Sequence, residues 1–257
     1  AVGYNAGINK FLFSGSPGTG KTESAKHLAR ILNRELFAVD FDSVIDSKLG
    51  QTSKNISALF EEINSLPYPE QAIILFDELD ALAMDRTDAN DLREMGRATS
   101  SVLKGLDSLN DRVVLIATTN LIASFDKALL RRFDRVIDFN RYSQKDLLQI
   151  AMNFQAEMLE KFKNPERNTR LFQKIIKLMN PIPYPGDLKN LIKSAIAFSS
   201  PTDHADYLRR LFSVVKPNVS GNFKELQDMC FTVREIEILT SISKSTISRE
   251  LSAKGTK

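Results

Sequence analysis

Cysteine is nearly missing from this sequence: there is one residue, Cys230, in 257. A lone thiol cannot build an internal disulfide framework, which excludes a small disulfide-stapled secreted fold and suits a reducing cytoplasm. With no second sulfur to pair with, Cys230 reads as a small buried apolar residue rather than a reactive group. Also missing is any apolar run approaching the ~20 residues needed to cross a bilayer. The N-terminal residues lack the pattern of a secretory signal, so no membrane partner is expected. The chain opens at Ala1 rather than at methionine, a few residues before its first strand, so upstream sequence is an expectation. Charge of one sign is not in excess: 35 Lys and Arg against 32 Asp and Glu leave a net +3, too slight by itself to argue for nucleic acid. Internal repeats and low-complexity tracts are absent as well. What is present is 42% hydrophobic and 26% charged residues, the make-up of an ordinary globule with a sizeable core. The length suffices for one large domain or two smaller ones.

From residue 10 to about 140, short β runs alternate with helical stretches. Strands are expected at Lys10–Ser14, Leu36–Asp40, Ala72–Asp77, Arg112–Thr118 and Arg135–Phe139. Most are continuously apolar, as in parallel strands covered on both faces. The helices between them make a βαβ series, hence an α/β fold with helices on both sides of a parallel sheet. After Arg141 the strand signal stops. Apolar residues at helical spacing outline helices at Leu147 to Met158, Leu171 to Leu178, Asp187–Ala197, and around Leu208, Leu211 and Phe212. A rigid loop, Asn180-Pro181-Ile182-Pro183-Tyr184-Pro185-Gly186, leads into the third. The expected domains are residues 1–140, α/β; 141–220, small and all-helical; and 221–257, a compact helical unit behind the linker Val219-Ser220-Gly221-Asn222.

Gly15-Ser16-Pro17-Gly18-Thr19-Gly20-Lys21-Thr22 has the spacing of a phosphate-binding loop. It joins the strand-like Phe11-Leu12-Phe13 to a segment where Ala25, Leu28, Ala29 and Leu32 recur at helical spacing. Along Ser16, Pro17, Gly18, Thr19 and Gly20, glycine lets backbone N–H groups turn inward around phosphate oxygens, and the helix end adds partial positive charge. Lys21 can then reach the β/γ-phosphates, and the Thr22 hydroxyl can bind Mg²⁺. The bland alternative is a Gly-rich turn with no ligand. Downstream, the buried run Ile73-Ile74-Leu75-Phe76 ends in two acids. Asp77 is suited to hold Mg²⁺ through its water shell beside Thr22, and Glu78 to orient and deprotonate the water that attacks the γ-phosphate. A further apolar strand ends in Thr118-Thr119-Asn120, where Asn120 can hydrogen-bond the γ-phosphate or serve only as a turn residue. In Asp126-Lys127-Ala128-Leu129-Leu130-Arg131-Arg132-Phe133-Asp134-Arg135, the consecutive arginines are either a solvated patch or an arginine finger for a neighbouring subunit's nucleotide.

These pieces, in this order, resemble the AAA family of ATPases over residues 8 to about 200. Phe76-Asp77-Glu78-Leu79-Asp80-Ala81-Leu82-Ala83 is similar to the family's second motif. Leu129-Leu130-Arg131-Arg132-Phe133-Asp134-Arg135 resembles its arginine-finger segment in the compact form of katanin- and spastin-like members. Tyr184-Pro185-Gly186-Asp187-Leu188 resembles the start of the lid helix that closes over the nucleotide, which makes Gly186 a nucleotide-side residue. The resemblance implies ATP and Mg²⁺ as cofactors, a sheet ordered 5-1-4-3-2, and a homo-oligomeric ring, usually of six subunits. It assigns Lys21 and Thr22 to phosphate and metal, Asp77 and Glu78 to metal and water, Asn120 to sensing the γ-phosphate, and Arg131 and Arg132 to action in trans. Arg135 is then structural, and Arg97 is an exposed helical residue or one that touches the adjacent subunit.

The sequence departs from the family's pattern at one informative place. Ser47-Lys48-Leu49-Gly50-Gln51-Thr52 aligns with the pore loop, where protein-threading members carry an aromatic; here that position is Lys48. Either a ring of lysines attracts acidic chains or phosphate backbones instead, or Lys48 is simply solvated and the pore grips by other residues. The tail is a second one: Phe231 to Leu251 resembles a helix-turn-helix. Ile236, Leu239, Ile242, Ile247 and Leu251 would pack it, Ser243 would cap the second helix, and Ser241 stands at the usual turn glycine. Lys244, Ser245, Thr246, Ser248 and Arg249 would face outward. The reading is a cytoplasmic, Mg-dependent ATP-hydrolysing ring that remodels or unfolds a macromolecule, a protein rather than DNA. Two alternatives stay open: a DNA-associated ATPase using the tail as reader, and a nucleotide-dependent scaffold with slow turnover.

Overall fold

The computed structural model describes residues 7–44, 51–82, 89–161, 167–217 and 222–253. Lys48 with its loop segment 47–50, Ala83, and linker residues 219–221 lie outside them. The chain divides into two compact units after Arg141.

The first unit runs β1 (Lys10–Ser14), α1 (Lys21–Leu32), β2 (Glu35–Asp40), α2 (Phe41–Val44), α3 (Gln51–Asn64), β3 (Ala72–Asp77), α4 (Ala89–Asp107), β4 (Val114–Thr119), α5 (Lys127–Leu130) and β5 (Arg135–Asp138). All pairings are parallel, and the strand order is β2-β3-β4-β1-β5. The expected order is therefore the one found. Leu12, Ile74, Phe76, Leu115 and Ala117 lie in one core with Ile56 and Phe60 of α3 and Ala98, Val102 and Leu106 of α4. Phe13, Ile73, Leu75 and Ile116 form a smaller core with Ala25 and Ala29 of α1. Alternate strand residues thus serve opposite faces, as pleating requires.

Continuous apolarity overstated how far the edges are covered. On β2 Phe37 is 42% exposed, and on β5 Val136 is 45% and Ile137 41% exposed, because an edge strand has a neighbour on one side only. On α1, Leu32 is exposed too. The fourth strand begins two residues later than expected: the Asn110 carbonyl accepts from the Val113 N–H (3.0 Å) and its Oδ1 from the Arg112 N–H (3.0 Å), so a turn claims Arg112 and Val113.

The second unit is all-helical: α6 (Gln144–Lys161), α7 (Thr169–Lys177), α8 (Pro185–Ala197), α9 (Asp206–Val215), α10 (Phe223–Asp228), α11 (Val233–Thr240) and α12 (Lys244–Ala253). One core joins Leu147, Leu171, Phe172, Ile192, Leu208 and Leu211 to Phe223, Leu226, Phe231, Ile236, Leu239 and Ile247. Residues 222–253 are therefore not a separate compact unit, as the expected boundary near 220 would have it; their apolar side chains are buried against the preceding helices. Polar contacts fix the same join. Glu235, 7% exposed, closes a capping box with Thr232 and accepts a hydrogen bond from Lys174 of α7 at 2.6 Å. Arg209 of α9 donates to the Ile238 carbonyl at the end of α11 (2.9 Å). Cys230 is exposed, contrary to its expected burial. It sits at φ 65° in the turn after α10, and Phe231 beside it enters the core instead.

Candidate active site

The loop after β1 is shaped by contacts that leave no room for side chains. A Cβ on Gly15 would lie 2.9 Å from the Phe139 Cβ and 3.2 Å from the Thr19 hydroxyl, so glycine alone fits. The Ser16 carbonyl accepts from the Thr19 N–H (3.4 Å) and hydroxyl (2.8 Å), which folds the loop back on itself. The Ser16 N–H donates to Asn140 Oδ1 at 2.9 Å. Pro17 and Gly18 are exposed at the tip. Gly20 caps α1 in the left-handed conformation (φ 92°) and supplies no side-chain acceptor. The first amides of α1 have no intrahelical acceptor either, so the turn offers N–H groups and a positive helix end at one point.

Lys21 is 7% exposed. Its Nζ donates to the Gly15 carbonyl (2.6 Å), the Ser16 carbonyl (3.1 Å) and Asn120 Oδ1 (2.8 Å). Burial pushes the ammonium below the ordinary lysine value, while the charges of Asp80, Asp77 and Glu78 oppose that shift. Beside it the Thr22 hydroxyl lies 3.0 and 3.1 Å from the two oxygens of Asp77. Five of the residues singled out in the sequence are thus brought together: Lys21 and Thr22 from the loop, Asp77 and Glu78 from the end of β3, and Asn120 from the end of β4. Strand order explains this, since β4 lies between β1 and β3. The crevice past the carboxyl ends of such strands is where α/β sheets take ligands.

Thr118, 2% exposed, carries no sequence signal of its own within Thr118-Thr119-Asn120. The Thr118 hydroxyl donates to Asp77 Oδ1 at 2.5 Å and accepts from the Glu78 N–H at 3.0 Å. One side chain on β4 therefore orients both acids on β3. Glu78 itself has φ 57°, a left-handed conformation that costs a non-glycine residue about 1 kcal/mol or more. Asp80 joins the site as well, its Oδ1 accepting from the Asn120 N–H at 3.2 Å. A threonine facing a neighbouring strand's acid has no spacing signature, because register and not sequence distance places it.

The arginine segment is elsewhere in this unit, and among the described residues no side-chain hydrogen bond of Arg131 or Arg132 reaches the cluster. Asp126 caps α5 by accepting from the Leu129 N–H (2.7 Å), and Leu129 and Phe133 are buried. Arg131 is exposed, with no side-chain partner among the described residues. Arg132 is tied within its own chain, to Asp107 (3.2 and 3.3 Å) and to the Ala128 carbonyl (3.0 Å). Gly186 belongs to the second unit, in the first turn of α8, which starts at Pro185 and not at the expected Asp187.

A hydroxyl and a carboxylate side by side are hard oxygen donors. They fit magnesium, which keeps several waters and takes further oxygens from substrate phosphates. Among the described residues no group of three or more His, Cys, Asp or Glu could hold a metal ion by itself. None of the described helices is long and apolar enough to cross a membrane.

A family model described as "ATPase family associated with various cellular activities (AAA)" matches residues 11–141. An uncharacterized AAA family ATPase, y4kL of Sinorhizobium fredii, is 42% identical over 133 residues, 52% of this chain and 39% of that protein. A putative 26S proteasome regulatory subunit homolog of Methanothermobacter thermautotrophicus is 35% identical over 130 residues, 50% of this chain and 34% of its own length. The proteasome-activating nucleotidase of Methanoregula boonei is 35% identical over 145 residues, 54% of this chain and 33% of its own. The matched region thus spans between a third and two fifths of these relatives' length.

Proposed function

Because this chain belongs to the AAA family of ATPases and carries that family's ATPase domain, we propose that it hydrolyses ATP at the cluster around Lys21, as one subunit of a cytoplasmic homo-oligomeric ring, and couples turnover to the remodelling of a protein. The observation that carries this reading is the meeting of three chain segments: Lys21 Nζ with Asn120 Oδ1 at 2.8 Å, and the Thr22 hydroxyl with Asp77 at 3.0 Å. The amides from Ser16 through Thr22 would cradle the β- and γ-phosphates, with Lys21 on their oxygens. An arriving triphosphate adds negative charge beside an ammonium that burial disfavours, so binding strengthens that lysine's hold on its proton. Thr22 and Asp77 would hold magnesium, whose charge neutralises the β/γ oxygens when it is bound. Glu78 takes a proton from a water aligned by Asn120; the water oxygen bonds the γ-phosphorus, and the bond to the bridging oxygen breaks, releasing ADP. Of the pair proposed to act in trans, Arg131 is free to reach a neighbouring subunit, whereas Arg132 must first leave Asp107 and the Ala128 carbonyl. Gly186 in the first turn of α8 would lie on the nucleotide side of the lid, and six subunits remain the expected ring.

Replacing Glu78 by Gln tests the assignment. The variant should bind ATP like the parent and release phosphate about a hundredfold more slowly; release near the parent rate overturns the role given to Glu78. A protein substrate is supported by the proteasome-activating nucleotidase and the proteasome-subunit homolog among the relatives. A DNA-associated ATPase is the second reading. It is favoured by α12, where Lys244, Ser245, Ser248 and Arg249 are exposed after Ser241, which takes the left-handed turn at φ 57°, and Ser243, whose hydroxyl accepts from the Thr246 N–H at 3.4 Å. ATPase measured in parallel with duplex DNA, single-stranded DNA and unfolded polypeptide separates the two by which one stimulates turnover.

A further inference from the structure

Helix α4 carries a polar stripe that none of the chemistry above uses. Arg97, Ser100, Ser101 and Lys104 follow one another at i, i+3, i+4 and i+7, one face of a helix, while Ala98, Val102 and Leu106 on the other face are buried in the core. Across from the stripe stands Ser53 of α3, and with Gly96 these residues line an open cavity of about 480 Å³. Arg97 and Lys104 are exposed cations with no side-chain partner among the described residues. The Ser53 hydroxyl is buried and has no hydrogen-bond partner among the described residues, a situation that folded proteins generally avoid.

The glycines of α4 sharpen the contrast. Gly105 is forced by packing, since a Cβ there would lie 2.1 Å from the Phe60 ring. At Gly96 a Cβ would meet nothing within 4 Å. Glycine weakens a helix interior, and here no neighbour in the chain requires it. Its effect is to keep the floor of the cavity low, so that another backbone can come close.

We propose that this face of α4, with Ser53 opposite, binds an acidic, extended segment of polypeptide. Two separated cations with hydroxyls between them, and no carboxylate among the described lining residues, complement carboxylates on a chain whose amides also meet the serines. The space is too large for a single ion. A nucleic acid is the poorer fit, because among the described residues no aromatic side chain lines the cavity for stacking and the two cations neutralise few phosphates. The segment belongs to the protein that the ATPase proposed above would act on, so the inference rests on that reading and names the charge of its substrate.

The test uses the full chain and a fluorescent Glu/Gly/Ser peptide, with a Gln/Gly/Ser peptide of equal length as control, read by anisotropy with and without ATP. The acidic peptide should bind and the Gln peptide should not. Arg97→Gln with Lys104→Gln should weaken binding about fivefold or more at moderate salt. Gly96→Ala, which favours the helix, should weaken it without lowering the melting temperature. Nucleotide affinity should be unchanged in both variants. Equal binding of both peptides, parent-like affinity in the double variant, better competition by a single-stranded oligonucleotide than by unlabelled acidic peptide, or a double variant that instead changes the sedimentation mass would each overturn the proposal. The last outcome would make the face an interface between copies. ATP hydrolysis with no acidic-peptide binding sinks this site alone. Peptide binding in a chain that hydrolyses no ATP sinks the ATPase reading and leaves the site standing.

Discussion

Thr118→Val removes one hydroxyl from the middle of the candidate active site and changes almost no volume. The hydroxyl makes a 2.5 Å bond to Asp77 and accepts the Glu78 N–H at 3.0 Å, so the valine cuts both acids loose from β4 while the methyl packing persists. A hydrogen bond to a charged group contributes about 1.5–3 kcal/mol. If half or more of that is expressed as misorientation of the two acids in the transition state, kcat falls by roughly threefold to a hundredfold, at about 1.4 kcal/mol per decade. ATP affinity should change far less, because the Lys21 ammonium and the loop amides proposed to hold the phosphates make no bond to Thr118. Steady-state phosphate release and equilibrium binding of a fluorescent ATP analogue separate the two quantities, and a thermal melt checks folding. Thr118→Ser, which keeps the hydroxyl, should recover most of the lost rate. The reasoning fails if a folded Thr118→Val chain turns over within twofold of the parent, or if serine restores nothing that valine lost.

Two further outcomes are expected. Arg131→Ala should leave nucleotide binding intact and abolish most hydrolysis, and mixing it with Glu78→Gln subunits should restore part of the rate, as only action across an interface allows; mixtures as inactive as the separate chains would exclude trans action. Glu235→Gln should destabilise the helical unit by about 1–3 kcal/mol at neutral pH, because it takes the charge from a buried hydrogen bond with Lys174, while the amide oxygen can still complete the capping box. Burial raises the Glu235 carboxyl, but hydrogen bonds from Lys174 and Thr232 outweigh it and hold the group below the ordinary glutamate value. A lowered folded value contributes stability above the unfolded pKa and loses it as pH falls through the folded one. The gap between parent and variant in urea unfolding should therefore close on acidification, and a pH-independent gap would refute the assignment.

The loop, β1 and β3 were legible to the residue, since glycine spacing and uninterrupted apolar runs are local signals that burial reinforces. The two acids and Asn120 were legible for the same reason: each follows a strand. What depended on who lies beside whom was not. Thr118 acts through register across β4 and β3, and Arg132 is separated from Arg131 by an aspartate 25 positions upstream. The edges β2 and β5 look as apolar as the centre, yet they stand in solvent because exposure follows position in the sheet. In the tail, Ile236, Leu239 and Ile247 were correctly read as core-facing, but helical spacing alone cannot say whose core they enter.

That shared core has a mechanical consequence. With Lys174 gripping Glu235 and Arg209 gripping the end of α11, the last two helices have no hinge of their own among the described residues. Whatever docks on α12 would therefore move as one body with α7 and α9, and slack would appear only where these two clasps are cut.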